Sequence, residues 1–127
     1  MAIIRLMDES EATGRVRELF DEIKSTLQVP FVPQLFRALG TKPDQLEAVW
    51  AQVKGLFGSG ALDVKSKILV ALAVAAAQRC SYFVKIHSIV AKRLGATDEE
   101  IAELLEVASF STALNTLASG LGLDPEL

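Results

Sequence analysis

The chain contains one cysteine and one histidine, and both lie in the segment Cys80-Ser-Tyr-Phe-Val-Lys-Ile-His87. Cysteine and histidine are the two side chains best suited to nucleophile and base chemistry near neutral pH. The reaction that such a pair suggests is attack by a thiolate, with a neighbouring imidazole carrying the proton. This segment is therefore the first candidate for an active site.

The spacing within the segment decides which position His87 could activate. On a continuous helix Cys80 and His87 share one face but lie about 10.5 Å apart along the axis, at 1.5 Å per residue. That distance is too long for a direct hydrogen bond. The residue that meets His87 lies four positions earlier and is Phe83, which cannot ionise. The direct contact between nucleophile and base is therefore missing, and Cys80 would reach His87 only through water or a local distortion.

The elements that must position these residues are predicted to be helices. Apolar residues recur with the 3.6-residue period, and no alternating strand pattern or internal repeat is present. Asp63 is placed to cap one helix, Thr97 and Glu100 form a capping box for another, and Gly40 is predicted to end the second helix in a left-handed conformation. The predicted helices span about residues 9–27, 34–39, 42–57, 63–78, 80 or 81 to 94, 97 onward, and a last, weaker helix at 110–120.

The composition predicts a single all-α domain over residues 1–127. Half of the residues are hydrophobic and 6% are aromatic, which favours closely packed helices. A domain of this size cannot hide so much apolar surface internally, so we expect a homo-oligomer. The net charge is −3 and no basic cluster is present, which argues against binding of nucleic acid.

Membrane and metal functions are also disfavoured by the sequence. The longest apolar run, from Ile68 to Ala77, has about half of the ~20 residues that cross a bilayer, and no signal peptide is visible. We therefore expect a cytoplasmic protein with no membrane partner. One cysteine and one histidine fall short of three protein ligands for a metal, and no cofactor motif such as a glycine-rich phosphate loop is present.

Two segments resemble the carboxymuconolactone decarboxylase and alkylhydroperoxidase D (AhpD-like) family. One is Lys67-Ile-Leu-Val-Ala-Leu-Ala-Val-Ala-Ala-Ala-Gln-Arg-Cys-Ser-Tyr-Phe-Val-Lys-Ile-His87, and the other includes Gly95-Ala-Thr-Asp-Glu-Glu-Ile101. With its lead-in, which includes Pro33-Gln-Leu-Phe-Arg-Ala-Leu-Gly, the resemblance covers residues 14–118. It implies an AhpD-like bundle of about six to seven helices that assembles as dimers, trimers or hexamers.

The resemblance also implies a set of functional positions. In the thiol-active branch of the family, two cysteines, a glutamate and a histidine reduce peroxide. Cys80 matches the resolving cysteine and His87 matches the histidine of the proton relay. The peroxide-attacking cysteine falls on Phe83 and the glutamate falls on Ile68. Since two of the four positions are apolar, we expect the dithiol peroxidase cycle to be lost.

An apolar pocket is the expected consequence of those two replacements. Phe83 and Ile68 would line it with Trp50 as a further wall, and it would take a small apolar ligand. His87, with Tyr82 or Cys80, would then anchor the ligand or carry out non-redox acid/base chemistry. The alternative is that both residues have only structural roles, with Cys80 buried in the core and His87 as a hydrogen-bonded core residue.

Three alternative functions stay open at this point. In the first, Cys80 is the single catalytic thiol of a peroxidase and an external thiol resolves it. In the second, the protein is a hydrolase, because the segment Val29-Pro-Phe-Val-Pro-Gln-Leu-Phe-Arg-Ala-Leu also resembles group I haloacid dehalogenases. The resemblance implies two tandem repeats of about this chain's length, which a homodimer would mimic, and an aspartate that activates water. In the third, the protein is a structural oligomer with a filled core.

Overall fold

The structure, a computed structural model, describes residues 2–126 and contains no β-strand in that range. A single 3-10 turn, Glu9–Glu11, precedes the helices. This architecture confirms the all-α prediction. The six α-helices of the described range are α1 (Gly14–Leu27), α2 (Gln34–Ala38), α3 (Pro43–Phe57), α4 (Val64–Ala77), α5 (Ser81–Arg93) and α6 (Asp98–Leu121).

Local side-chain caps begin α4 and α6, two helices of the C-terminal part of the chain. The Asp63 side chain accepts a hydrogen bond of 2.7 Å from the backbone N–H of Ser66 and so opens α4. At the start of α6, Thr97 accepts from the Glu100 N–H at 3.0 Å, and Glu100 accepts from the Thr97 N–H at 3.1 Å. Both caps were predicted, because a cap depends only on residues within one turn of the helix start.

The predicted start of the first helix is wrong. The side chain of Asp8 accepts a hydrogen bond from the Ser10 N–H and caps the start of a separate 3-10 turn, Glu9–Glu11. Thr13 is extended and α1 begins at Gly14, whose φ of 55° is left-handed. The backbone therefore changes direction between the 3-10 turn and α1. The spacing of apolar residues along the chain does not predict such a change.

The predicted separation of the last two helices is also wrong. The segment from Asp98 to Leu121 is one helix of 24 residues. No glycine or proline lies between residues 98 and 119, so nothing in the backbone interrupts the helix near residue 110.

The predicted left-handed cap at Gly40 is wrong too. Helix α2 ends at Ala38, Leu39 has right-handed helical angles, and Gly40 has no positive φ. A Cβ atom at position 40 would instead lie 2.8 Å from the Sδ atom and 3.0 Å from the Cβ atom of Met7. Gly40 is thus required by the close approach of Met7, which is paired to Arg37 through the Met7 N–H and the Arg37 carbonyl at 3.1 Å.

The chain divides after Leu56 into two compact units, each with a core of its own. In the N-terminal unit, apolar faces of α1, α2 and α3 bury one cluster that includes Trp50 and Phe36. The ring centroids of these two residues are 5.5 Å apart at an interplanar angle of 85°. This edge-to-face pair gives the first unit a specific packing contact in addition to buried area. The prediction of one domain over the whole chain stays a prediction.

In the C-terminal unit, α4 packs against both α5 and α6. Its core contains Ile68 of α4, Ala91 of α5 and Ala96 of the α5–α6 connection, all buried. The small alanines let the helices approach closely around the larger isoleucine. Within residues 2–126, no helix is both long and apolar enough to cross a bilayer.

Candidate functional site

A tight turn between α4 and α5 fixes the backbone of Cys80. The Cys80 N–H donates to the Ala75 carbonyl at 2.9 Å and the Arg79 N–H donates to the Ala76 carbonyl at 3.1 Å. The backbone of Arg79, the residue before Cys80, has a left-handed φ of 58°. This is the hydrogen-bond pattern of a Schellman motif, with an arginine where glycine is usual. The sequence does not predict this turn, because arginine has no intrinsic preference for the left-handed conformation that glycine adopts readily.

Cys80 is the residue that precedes the first turn of α5. Its side chain makes no capping hydrogen bond, and the free thiol is partly exposed. In the part of the chain that the structure describes, no hydrogen bond joins this thiol to His87, in agreement with the distance expected from the helical spacing. Cys80 was predicted to be a buried core residue, but the structure leaves it partly exposed.

The side chains of Phe83 and His87 are stacked on one face of α5. Their ring centroids are 5.1 Å apart and the rings are inclined by 18°. This is the contact expected for residues four apart on a helix. The ring of Tyr82 meets Phe83 edge to face, at 5.0 Å and 85°. The predicted position of Phe83 next to His87 is therefore confirmed, and the place of a nucleophile is filled by an aromatic ring.

A second aromatic ring reaches His87 from another helix. Phe57, the last residue of α3, lies 6.3 Å from the imidazole between ring centroids and is tilted by 36°. Phe57 also packs against the cluster that contains Ile68. The apolar period of residues 42–57 is compatible with an inward-facing Phe57, but it cannot show which side chain Phe57 meets.

His87 lies half-buried between these rings. Burial lowers its pKa, since the charged imidazolium loses water in this apolar setting. No hydrogen bond to either imidazole nitrogen is formed by the residues from 2 to 126, so the hydrogen-bond partner expected for a core histidine is not provided there. At pH 7 the ring is neutral, and its nitrogens offer one donor and one acceptor.

Ile68, the position at which the resemblance implies a glutamate, is part of the core. Ile68 is 6% exposed and contacts Ala91 and Ala96. A carboxylate at this buried position is costly unless it is paired or hydrogen-bonded. The described residues also contain no group of three side chains suited to hold a metal ion.

The last predicted wall residue, Trp50, belongs to the N-terminal unit. It is 1% exposed, and its ring contacts Phe36. The structure thus brings together His87, Phe83 and Tyr82 and adds Phe57. A pocket shared by Ile68, Phe83 and Trp50 stays a prediction.

The lowered pKa of His87 predicts how stability depends on pH. The unfolded chain takes up a proton near pH 6.5, whereas the folded protein does so only at lower pH. The free energy of unfolding should therefore fall as the pH drops through about 6.5, by at most about 1.4 kcal/mol per pH unit, and level off below the folded pKa.

Because His87 is the single histidine, one set of imidazole NMR signals reports its pKa directly. Urea unfolding at pH 7 and pH 5.5 should show a loss of stability for the wild type that is smaller in His87→Phe, which keeps an aromatic ring. A measured pKa of 6.5 or above would contradict the desolvated environment.

Similarity to known proteins identifies the family and the fold of this chain. Residues 43–123 match the carboxymuconolactone decarboxylase family. The solved alkylhydroperoxidase AhpD core from Rhodospirillum rubrum is 32% identical, with a TM-score of 0.93 over 99% of this chain and 95% of that one. A carboxymuconolactone decarboxylase family protein from Legionella pneumophila is 25% identical, with a TM-score of 0.56 over 87% of this chain and 94% of that one.

This chain spans less than two thirds of the length of each of two curated relatives. An (R)-2-haloacid dehalogenase from Pseudomonas putida is 28% identical over 94% of this chain, which spans 38% of that protein. A protein of the cox locus of Paracoccus denitrificans, described as uncharacterized, is 41% identical over 50% of this chain, which spans 57% of it. The family match covers well over half of the chain, and the AhpD core matches nearly all of it. The chain therefore belongs to the carboxymuconolactone decarboxylase family and has an AhpD-like fold.

Proposed function

We propose that this protein binds a small, mainly apolar molecule beside His87 and has lost the dithiol peroxidase cycle. The observation that carries the proposal is the half-buried imidazole, which lies between the rings of Phe83 and Phe57 and has no hydrogen bond from residues 2–126. The fully buried side-chain nitrogens and oxygens without a partner in residues 2–126 include the indole nitrogen of Trp50 but neither imidazole nitrogen, so His87 stays open to an added group. A ligand with one polar group on an apolar body would replace water at the imidazole and cover the neighbouring rings.

The chemistry of the site follows from the neutral imidazole. It donates one hydrogen bond and accepts one, and it can pass a proton to or from a bound carbonyl, hydroxyl or carboxyl group. Tyr82, whose ring contacts Phe83, and Cys80, at the start of the same helix, are the proposed additional polar groups. Loss of the thiol cycle is supported by the stacked Phe83 and the buried Ile68 at the two positions that it requires.

Binding is tested with probes that have the proposed shape. Benzoate and cyclohexanone each join one polar group to an apolar ring. Either should shift the His87 imidazole signals in a saturable way, and Phe83→Ala should weaken the effect by removing the stacked ring. A matched control is Phe31→Ala, which removes an exposed phenylalanine ring from the N-terminal unit. Equal effects of the two substitutions on the titration would count against a site at His87.

Loss of peroxidase chemistry is tested with cumene hydroperoxide and dithiothreitol. We expect the wild type and Cys80→Ser to consume the hydroperoxide equally slowly. Rapid consumption that depends on Cys80 would overturn this part of the proposal and favour the single-thiol peroxidase.

A hydrolase is the second candidate, favoured by the similarity to the (R)-2-haloacid dehalogenase along 94% of the chain. No aspartate or glutamate is buried within residues 2–126, so a water-activating base at this site would be His87. Release of chloride from (R)-2-chloropropionate, abolished in His87→Gln, would support this candidate. The absence of chloride release from either enantiomer would exclude it for these substrates.

A further inference from the structure

Lys67 of α4 binds the backbone next to the His87 site. Its Nζ atom donates a hydrogen bond of 2.7 Å to the Gly58 carbonyl, and this contact is partly buried. Gly58 directly follows Phe57, whose ring lies beside the imidazole of His87. All four residues belong to the C-terminal unit, which begins at Phe57. The lysine therefore holds the backbone immediately after a ring that contacts His87.

The turn after Phe57 has a composition that is costly to order. Gly58-Ser-Gly60 contains two glycines, and residues 58–62 form neither helix nor strand. Glycine loses more conformational freedom on folding than any other residue. A hydrogen bond from an ammonium group is stronger than one between neutral groups, so the contact of Lys67 with this turn offsets part of that cost.

The ammonium group of Lys67 lies against this turn. A Cβ atom at position 60 would lie 3.0 Å from Nζ, which is tighter than most contacts of a Cβ atom, so Gly60 leaves room for the lysine. The neighbouring Lys65 instead pairs with the Glu100 carboxylate at 3.0 Å. The two lysines thus have different partners, a surface carboxylate for Lys65 and the backbone beside the site for Lys67.

Phe57 is held from α4 in two ways. Its side chain packs against the core cluster that contains Ile68, the residue after Lys67. The carbonyl of the next residue, Gly58, accepts the hydrogen bond from Lys67. The ring therefore has a defined position, 6.3 Å from the imidazole between centroids. In this position it contributes to the burial of His87, which lowers the pKa of the imidazole.

We propose that Lys67 is a positioning residue of the His87 site, because its bond to the Gly58 carbonyl holds the Phe57 ring beside the imidazole. The proposal rests on the proposed function in one respect, since a fixed wall affects affinity only if a small molecule binds there. Lys67 acts through Phe57 and not by contact with the ligand. Loss of the ammonium donor would free the turn, let the ring move away and admit water to His87.

The pKa of His87, measured by NMR without any ligand, tests the positioning. Lys67→Met keeps an unbranched side chain and removes the donor, and Phe57→Leu removes the ring. We expect Lys67→Met to raise the pKa toward 6.5 in the wild-type background but to change it little in the Phe57→Leu background, because the lysine acts through the ring. An equal rise in both backgrounds would mean a direct effect of the lost charge and would overturn the proposal, as would no rise in either.

Lys65→Met is the matched control for the loss of charge. It removes one positive charge from the same helix but breaks a contact with Glu100 and leaves the turn intact. The pKa of His87 should therefore stay at its wild-type value. A pKa that rises as much in Lys65→Met as in Lys67→Met would contradict a specific role of Lys67.

Binding of cyclohexanone, an uncharged probe, extends the test to the function of the site. Its affinity, followed by the imidazole signals, should fall about fivefold in Lys67→Met, the effect of one hydrogen bond, with no further loss when Lys67→Met is added to Phe57→Leu. Equal losses in the two backgrounds would refute the positioning role. A wild type that does not bind the probe, with the expected pKa changes, would contradict the proposed function and leave the positioning of Phe57 supported.

Discussion

Replacement of Trp50 by alanine is expected to lower the free energy of unfolding by about 3–5 kcal/mol. Trp50 is 1% exposed and is the largest fully buried side chain among the described residues. Its ring meets Phe36 edge to face, and the Lys54 Nζ atom lies 5.9 Å from the ring centroid. Alanine would lose these contacts and leave a large cavity in the N-terminal core.

Replacement of Trp50 by phenylalanine distinguishes the contribution of ring packing to stability from that of the buried indole N–H. The indole N–H of Trp50 is buried and has no hydrogen bond of ordinary geometry within residues 2–126. The pKa of Glu22 is lowered mainly by Lys54, and to a smaller degree by this indole, so the N–H has an electrostatic contact that falls short of a hydrogen bond. Trp50→Phe removes the poorly satisfied group and keeps a ring, so we expect it to cost only about 1–2 kcal/mol.

The measurement is urea unfolding followed by far-UV circular dichroism, since the variants lack the tryptophan fluorescence of the wild type. All proteins are compared at one protomer concentration, because association changes apparent stability. A Trp50→Ala variant within 1 kcal/mol of the wild type would show that this core repacks freely.

The second large effect is a gain of thiol reactivity in Phe83→Cys. The ring of Phe83 is stacked on His87 with its centroid 5.1 Å away, so a thiol introduced there lies beside the imidazole. A neighbouring base favours the thiolate, which is the reactive form. We expect iodoacetamide at pH 7 to label the introduced thiol about tenfold faster than the same thiol in the Phe83→Cys/His87→Phe double variant.

Oxidation provides a second result for the same variant. Hydrogen peroxide would convert the introduced thiolate to a sulfenic acid with release of water. Attack by the Cys80 thiol would then form a disulfide and release a second water. Mass spectrometry should show a loss of two hydrogens per chain. Phe83→Ala, which removes the ring without adding a thiol, should show no disulfide. Equal labelling with and without His87 would mean that the imidazole does not activate this position.

The features that the sequence determined by itself are local. The capping residues Asp63 and Thr97 were predicted because a cap involves residues within one helical turn. The contact of Phe83 with His87 follows from the same geometry, since residues four apart on any α-helix meet. The lack of an ionisable group at both Phe83 and Ile68 can be read from the chain alone.

What only the tertiary structure decided involves residues far apart in the chain. Phe57 reaches His87 from the end of another helix, and the alanines at 91 and 96 enclose Ile68. The apolar pattern shows that such residues face inward but not which partner each one meets. The second half of α6 leaves its apolar side chains exposed, because the core of its own unit ends before the helix does. Burial depends on which surfaces the folded chain brings together, and periodicity along one helix carries no information about that.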